Sequence, residues 1–493
     1  MNMTGHALRG TWWPLTAVCL GAFMLLVQAG LVPVALAGIA ADLGGSFASL
    51  QWVLDGYALG LAALLLGAGV LGDLVGRRTV YVAGLALFAL ASVGCGLAPN
   101  IATLIAASIV QGAAAAAMFA TTMALLSATY QGRQRGVAFG VWGAVNGAAA
   151  GLGVLLGGVL TEYVSWRAIF LINPPLAAVT IVLTLAAVGE SRNPHARRLD
   201  WPGLLTFTAA AGTLTYGLIH AGAAGWDSPA ALAWLGAGLL ALAVFVAVER
   251  RSPYPLLDLT LFRSPRFTAL MVAALALGIA AFGYVAYTSL WLQSVLHLGA
   301  TGTGLALLPL SGAAFVTALA TGRRLHGVSP RASVGGGMLL IGFGALAQAV
   351  VDEGSGWATV LFGLVVTGVG VGLLSPALAG ATMAAVPPER AGMASGAMNT
   401  FRQLGQALGV AVLGAVFHRA VVASLTGRVT DVAGTAEAVT SGQAPADVLA
   451  GAFTDGLSAA YLVAGGVGVT AAVVVLLMSG ARDDAAAGGV RTR

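Results

Sequence analysis

The sequence predicts an all-α polytopic membrane protein: fourteen spanning helices, arranged as two six-helix bundles with two extra helices between them. Three observations carry that prediction. The first is composition. Of 493 residues, 58% are hydrophobic and 8% are charged, too little polar surface to solvate a soluble chain of this length. The second is where the arginines fall. The third is a stretch of chain that returns, in the same order, near the other end.

A spanning helix needs ~20 apolar residues. Backbone groups in lipid must be satisfied within their own segment, so the apolar spans become helices. In order they lie near 12–37, 49–70, 79–98, 101–126, 136–160 and 167–188, then 201–220 and 230–248. Six more follow near 267–292, 302–321, 332–351, 357–383, 393–418 and 456–478. The first span, Trp12 to Ala37, is longer than the apolar core of a secretory signal and many spans follow it, so it reads as a retained helix. Gly, at 70 residues, suits helices that pack closely in lipid. The predicted organisation is an N-terminal bundle over 1–188, two inserted helices and a linker over 189–266, a C-terminal bundle over 267–478 and a cytoplasmic tail over 479–493.

All 23 basic residues are arginine. With the N-terminus inside, 19 of them fall on the inner side; Arg167, Arg419 and Arg428 fall outside, and Arg402 lies within a span. This fits the positive-inside rule, and an odd number of spans would break it. The net charge of +5 is dispersed over short loops rather than gathered on one face, so no nucleic-acid partner is expected. The Ala, Gly and Arg bias fits a GC-rich bacterial genome. The expected location is the bacterial cytoplasmic membrane, with both termini cytoplasmic. Cys19 and Cys95 fall inside spans, which gives no disulfide framework and no metal site.

Gly136-Val-Ala-Phe-Gly140 matches Gly392-Met-Ala-Ser-Gly396. At the same offset Leu152-Gly153-Val154 matches Leu408-Gly409-Val410, and Gly158 matches Gly414. A fainter echo pairs the loop at Gly69 with Gly322 to Arg331. Chance similarity among Ala/Gly-rich helices is the alternative, but the echoes agree in order. Together they set a first six-helix block beside a last one, the parallel repeat of many secondary transporters. Outside the spans, Arg419 to Asp455 is polar and reads as a flexible outer loop. Glu249 to Arg266, with Leu256, Leu257, Leu259, Leu261 and Phe262 among charges, reads as either a helix on the inner leaflet or a plain linker.

The loop GVLGDLVGRR, Gly69 to Arg78, resembles the signature between helices 2 and 3 of the major facilitator superfamily. Gly153-Val-Leu-Leu-Gly157-Gly158, at the end of helix 5, is similar to that superfamily's antiporter motif. Ser165-Trp-Arg-Ala-Ile-Phe-Leu-Ile-Asn-Pro174 resembles the approach to helix 6 in its fourteen-span drug:proton antiporter branch. Gln51-Trp52 through Tyr57, and Met398-Asn-Thr-Phe-Arg-Gln-Leu-Gly405, fit the same branch. The resemblance runs along almost the whole chain. Four positions depart from the family pattern: Leu74 stands for a basic residue, Val154 for proline, Gln28 for aspartate and Ser108 for arginine.

The residues of the loop can be read on their own. Gly69, Gly72 and Gly76 permit a tight turn and close backbone approach. Asp73 precedes helix 3, whose dipole favours an anion. Arg77 and Arg78 can pair with Asp73, with a neighbouring helix end or with anionic lipid heads. Such a cluster is a charged latch at the cytoplasmic edge; its alternative is a solvated loop obeying the positive-inside rule. Glycines 143, 147, 151, 153, 157 and 158 give helix 5 a smooth face, expected to press against the other half.

Proton antiport needs an intramembrane group that gains and loses a proton, and neither Gln28 nor Ser108 titrates. Asp55, near the outer end of helix 2 beside Tyr57, is the carboxylate placed within a span. It either exchanges the coupling proton or caps a helix turn and stays ionised. Arg402 is the matching charge of the second half. It binds an anionic substrate, balances Asp55, or pairs with helix carbonyls. Tyr284, Tyr287 and Trp291 form an aromatic wall for a flat or cationic compound, or else pack as an interfacial belt.

No GxSxG, HExxH or P-loop lysine occurs, so no enzyme and no cofactor is expected. The resemblance implies export of a hydrophobic or amphipathic drug or antibiotic by proton antiport and alternating access. The expected partners are a small-molecule substrate, protons and the lipid bilayer, and the chain is expected to act as a monomer. Two other readings stand beside this. One is a uniporter or differently coupled permease, which Gln28 and Ser108 favour. The other is a non-transporting membrane sensor or scaffold, which the nearly intact loop at Gly69 disfavours.

Overall fold

A computed structural model of the protein describes residues 12–44, 47–192, 200–324, 329–426, 431, 434–435, 439 and 446–478. The expected tail over 479–493 lies outside them. So do Arg9, Arg197, Arg198, Arg428, Arg482, Arg491 and Arg493, and His6, His195 and His326. Each predicted span is a helix: α1 Trp13–Leu43, α2 Phe47–Val75, α3 Arg77–Gly96, α4 Ile101–Thr129 and α5 Gly132–Tyr163. Then come α6 Ala168–Ala187, α7 Trp201–Ala224 and α8 Pro229–Glu249. The rest are α9 Pro265–Ser294, α10 Ala300–Arg324, α11 Pro330–Gln348, α12 Ala358–Ala384, α13 Ala391–Leu425 and α14 Ala446–Met478. Among the described residues, thirteen helices are long and apolar enough to cross a membrane; α11, of 19 residues, is the remaining one.

Local chemistry sets many of the boundaries. Asn100, Asp200 and Ser329 accept the N–H of the residue three places on, at 2.9, 2.8 and 3.2 Å, and so open α4, α7 and α11. Proline occupies the first turn of α1, α7, α8, α9 and α11, where its missing N–H costs nothing. In α9 the regular ladder gives way to a π-turn over Gly278–Phe282.

The chain forms two compact units. One comprises residues 1–258 and 382–400; the other comprises 259–381 and 401–493. In the first, Gly153 and Gly157 of α5 lie against the backbone of Val27, Gly30 and Leu31 of α1, and Gly60 and Gly112 bring α2 and α4 together. In the second, Gly405 and Gly409 of α13 lie against Leu275, Ile279 and Gly283 of α9, and Gly368 and Gly372 bring α12 onto α10. Helix α3 packs on α6 as α11 packs on α14. The two blocks therefore repeat the same three helix pairings. Gly153 and its sequence counterpart Gly409 do the same work, each removing a side chain where two backbones touch. Within its own unit, the smooth face of α5 serves α1 through Gly153 and Gly157.

Helices α7 and α8 form a hairpin closed by Gly217 against Leu235 and Gly238 against Leu214, with Phe207 and Phe245 edge to face at 5.3 Å. Helix α7 rests on α2. The segment Glu249 to Arg266 is the linker of the two alternatives. Leu256 and Leu257 are buried in protein, and its helical part is a 3₁₀ turn over Leu259–Arg263. The polar stretch expected as a loop over Arg419–Asp455 is helical at both ends. Helix α13 runs on to Leu425 and α14 starts at Ala446. Val421, Leu425 and Phe453 are buried with Phe417 and Leu457 in one apolar cluster, and that burial outweighs the polar composition.

Candidate functional site

The stretch from Gly69 to Arg78 is almost entirely helical, not a loop. Helix α2 continues to Val75, α3 begins at Arg77, and Gly76 alone makes the turn, at φ +133°. A side chain at Gly76 would also meet the Glu190 carboxylate. Gly69 and Gly72 sit inside α2. A Cβ on Gly69 would overlap the carbonyl of Gly392, and one on Gly72 would press on Thr121. These two glycines provide close approach rather than a turn.

Asp73 is buried near the end of α2. Its Oδ1 accepts from Arg77 Nε at 2.9 Å and Nη2 at 2.7 Å. The same oxygen accepts the Gly392 N–H at 2.9 Å, and Oδ2 accepts the Met393 N–H at 2.9 Å. Gly392 and Met393 are the second and third residues of α13. Asp73 therefore caps the start of α13, where free N–H groups and the helix dipole favour an anion. Arg77 Nη2 adds a bond to the Pro388 carbonyl at 2.7 Å, on the turn that leads into α13. Arg390 on that turn pairs with Asp258, whose N–H points at Met393 Sδ at 3.5 Å. All of these residues belong to the first unit.

The anion at the start of α3 is a different residue. Glu190 accepts from the backbone N–H of Arg78 and of Thr79, both at 3.0 Å, and from the Thr79 hydroxyl at 2.6 Å. Burial pushes the Glu190 carboxyl up, but the Thr79 hydroxyl and the backbone N–H groups outweigh it and hold the group below its ordinary range. Arg78 reaches the Val188 carbonyl at 3.2 Å and Glu190 at 4.0 Å. Sequence reading missed Glu190. The available signal was an acid just past a span, on the same side as the arginines of the Gly69 stretch.

Deeper in the first unit, a buried neutral network occupies the place where the family resemblance puts charges. Asn173 Nδ2 donates to Gln28 Oε1 at 2.8 Å and to Ser92 Oγ at 3.3 Å. Gln111 Nε2 donates to Ser92 Oγ at 2.7 Å, and Ser92 donates to the Phe88 carbonyl at 2.7 Å. Ser108 lies 3.8 Å from Cys95 Sγ. The network joins α1, α3, α4 and α6 without a titratable member. Asp55 is half-buried on α2 and has no hydrogen-bond or ion-pair partner among the described residues. Tyr57 donates to the Leu25 carbonyl at 3.4 Å. One turn before Asp55, Trp52 stacks on Tyr216 at 5.4 Å, and Tyr216 meets Trp234 edge to face at 4.8 Å.

At the start of α6, Trp166 Nε1 donates to Asp42 Oδ2 at 3.0 Å, and Arg167 pairs with the same oxygen while lying 4.3 Å over the Trp166 ring. This explains the Ser165-Trp-Arg sequence as an anchor onto the end of α1.

In the second unit, Tyr284 and Trp291 are fully buried in the apolar cluster rather than lined along a wall. Tyr284 meets Tyr461 edge to face at 5.1 Å and accepts from Gln348 at 3.2 Å. Tyr287 donates to the Val410 carbonyl at 2.8 Å and stacks on Phe417. Arg402 is partly buried on α13, and its carbonyl lies against Gly278. Asp55 belongs to the first unit and Arg402 to the second. Gly158 is buried next to Gly157 on α5. Among the described residues, no cluster of His, Cys, Asp and Glu could hold a metal ion.

Residues 18–410 match the family model described as Major Facilitator Superfamily. The chain is 38% identical over 403 residues to multidrug resistance protein Stp of Mycobacterium tuberculosis, covering 82% of this chain and 75% of that one. It is 32% identical over 505 aligned residues to the tetracenomycin C resistance and export protein of Streptomyces glaucescens, covering 97% and 93%. It is 34% identical over 439 residues to the puromycin resistance protein pur8 of Streptomyces alboniger, covering 87% and 86%. In fold it is similar to the crystal structure of the human organic anion transporter MFSD10 (TETRAN), with a TM-score of 0.62 at 17% identity, over 96% of this chain and 99% of that one.

Proposed function

Because this multi-span membrane protein belongs to the major facilitator superfamily, we propose that it exports a hydrophobic or amphipathic drug or antibiotic from a bacterial cell by alternating access, driven by inward proton flow. The observation that carries the reading is the Asp73 carboxylate, bonded at once to Arg77 and to the first turn of α13. An ion pair that also caps a helix is a discrete contact, made in one state and released in another. The resistance and export proteins of Mycobacterium and Streptomyces that the chain resembles support the substrate class. In this reading the chain acts as a monomer in the cytoplasmic membrane. Asp73 and both termini are on the inner side, where the arginine distribution puts them.

Asp55 carries the proton. It is the intramembrane acid without a protein partner among the described residues, so its charge can be exchanged for a proton or balanced by a cationic substrate. One charge moved through the membrane potential is worth ~2.3 kcal/mol per 100 mV, enough to drive accumulation. Gln28 and Tyr57, of the same unit as Asp55, border its pathway in this reading. The neutral network around Gln28 favours a second one, a uniporter or differently coupled permease. Everted vesicles decide between them. With the parent, an imposed proton gradient drives dye uptake and the dye discharges the gradient; Asp55→Asn keeps downhill flux and loses both. If Asp55→Asn still concentrates dye as the parent does, Asp55 is not the coupling group. If cells with and without the parent accumulate cationic, neutral and anionic test drugs alike, the chain is not an exporter of such compounds.

A further inference from the structure

The inserted helices carry an acidic site used neither by the Asp73 contacts nor by Asp55. Asp200 immediately precedes α7, and Glu249 is the last residue of α8. Their residual exposures are 8% and 4%. One oxygen of each is bonded to backbone. Asp200 Oδ1 accepts the Gly203 N–H at 2.8 Å, and Glu249 Oε2 accepts the Leu257 N–H at 3.2 Å. The other two oxygens, Asp200 Oδ2 and Glu249 Oε1, are buried without a hydrogen-bond partner among the described residues. They converge over one glycine: a Cβ on Gly203 would lie 2.9 Å from Asp200 Oδ2 and closer still to Glu249 Oε1.

Among the described residues, the charged groups nearby are paired elsewhere or exposed. Asp258 is paired with Arg390, Asp73 on the adjoining α2 is paired with Arg77, and Arg250 and Arg251 are exposed. Two ionised carboxylates so placed repel each other in a medium that screens little. One proton between them replaces that repulsion with a charge-assisted O–H···O hydrogen bond. We propose that Asp200 and Glu249 bind a single shared proton, forming a carboxylic acid–carboxylate pair that fastens the linker at Leu257 to the feet of the two inserted helices. This site is independent of the transport reading and of the Asp55 assignment.

The test is thermal unfolding of the full-length protein in detergent from about pH 5 to about pH 9, a range in which ordinary carboxyls stay ionised. A folded state holding a proton that the unfolded chain has lost becomes less stable as pH rises. The parent's midpoint therefore falls with pH by an amount missing in Glu249→Gln, whose amide donates to Asp200 with no proton to lose. At the alkaline end Glu249→Gln is the more stable protein. Asp200→Asn keeps an acceptor for Gly203 and offers a donor to Glu249, so it flattens the same part of the curve. It decides the matter if the first variant does not fold. At neutral pH the parent also shows an infrared protonated-carboxyl stretch that both variants lack. The proposal is overturned if the variants keep the parent's slope and band. It is equally overturned if sodium or calcium raises the parent's midpoint and not the variants', since the site then holds a cation.

Discussion

The carboxylate of Asp73 accepts the backbone N–H of Gly392 at 2.9 Å, although the two residues are 319 positions apart. The contact exists because three requirements meet. Glycine at 69 and at 392 removes the side chains that would keep α2 from the start of α13. The first turn of α13 offers free N–H groups. Arg77, one turn beyond Asp73, neutralises the carboxylate from the other side.

Removing either charge of this buried pair leaves the other unpaired. Asp73→Ala is expected to cost about 3–5 kcal/mol, the range for breaking a buried ion pair by deleting one partner. Arg77→Lys keeps the charge but loses the fork that spans Asp73 and Pro388, so its loss is smaller. Thermal midpoints of the purified proteins, with drug export in cells, check both. Equal midpoints for parent and Asp73→Ala would show that the contact contributes no stability.

Gly76 and Gly132 both have positive φ, at +133° and +51°, but only Gly76 is crowded, by Glu190; nothing lies within 4 Å of a Cβ at Gly132. Gly132→Asn is therefore expected to be mild, since asparagine tolerates the left-handed region. Gly76→Asn adds a steric conflict and disturbs the cap on α3, and is expected to lose more than about 1 kcal/mol. The order of the two midpoints is the measurement.

Asp42 gives an acid dependence of known sign. The hydrogen bond from Arg167, then that from Trp166, hold its carboxyl below the usual range. A depressed carboxyl contributes stability that is present above its unfolded value and lost as pH falls through the folded one. Between about pH 5 and about pH 2 the parent should lose stability that Asp42→Asn does not have to lose. Parallel melting curves over that range would remove Asp42 as a contributor.

The repeated pairing of α5 with α1 and α13 with α9 predicts matched sensitivity. Gly153→Leu and Gly409→Leu each force a side chain between touching backbones and should each abolish folded protein in detergent extracts. Gly466→Leu, with nothing within 4 Å of its Cβ, should be accepted. Size-exclusion profiles of the three variants check this. A well-folded Gly409→Leu would break the equivalence of the two blocks.

Much of the architecture was legible in the chain because it depends on local properties. Hydrophobic length placed a helix at each predicted span, thirteen of them long and apolar enough to cross a membrane among the described residues, and the offset of Gly153 from Gly409 marked two contacts of one kind. The site was legible in part. Asp73, Arg77 and Gly76 were recognised as a cluster, but Asp73 was assigned to the dipole of α3. It serves α13, and Glu190 holds the start of α3. Tyr284 and Trp291 have the spacing of a wall, yet both are buried in the core. Spacing fixes which residues share a helix face, not what the face meets. Asp200 and Glu249 gave no sign at all, because they are separated in sequence and each looks like an ordinary helix end.

The sequence by itself determined that this chain resides in lipid, where its helices run and which of its segments are copies of one another. Each follows from apolar length and from order along the chain, which need no knowledge of neighbours. The tertiary structure alone decided which carboxylate holds which helix start and which glycines bring backbones together. Hydrogen bonds and steric contacts act over a few ångströms, so partners hundreds of residues apart in sequence become partners only when folding has placed them side by side.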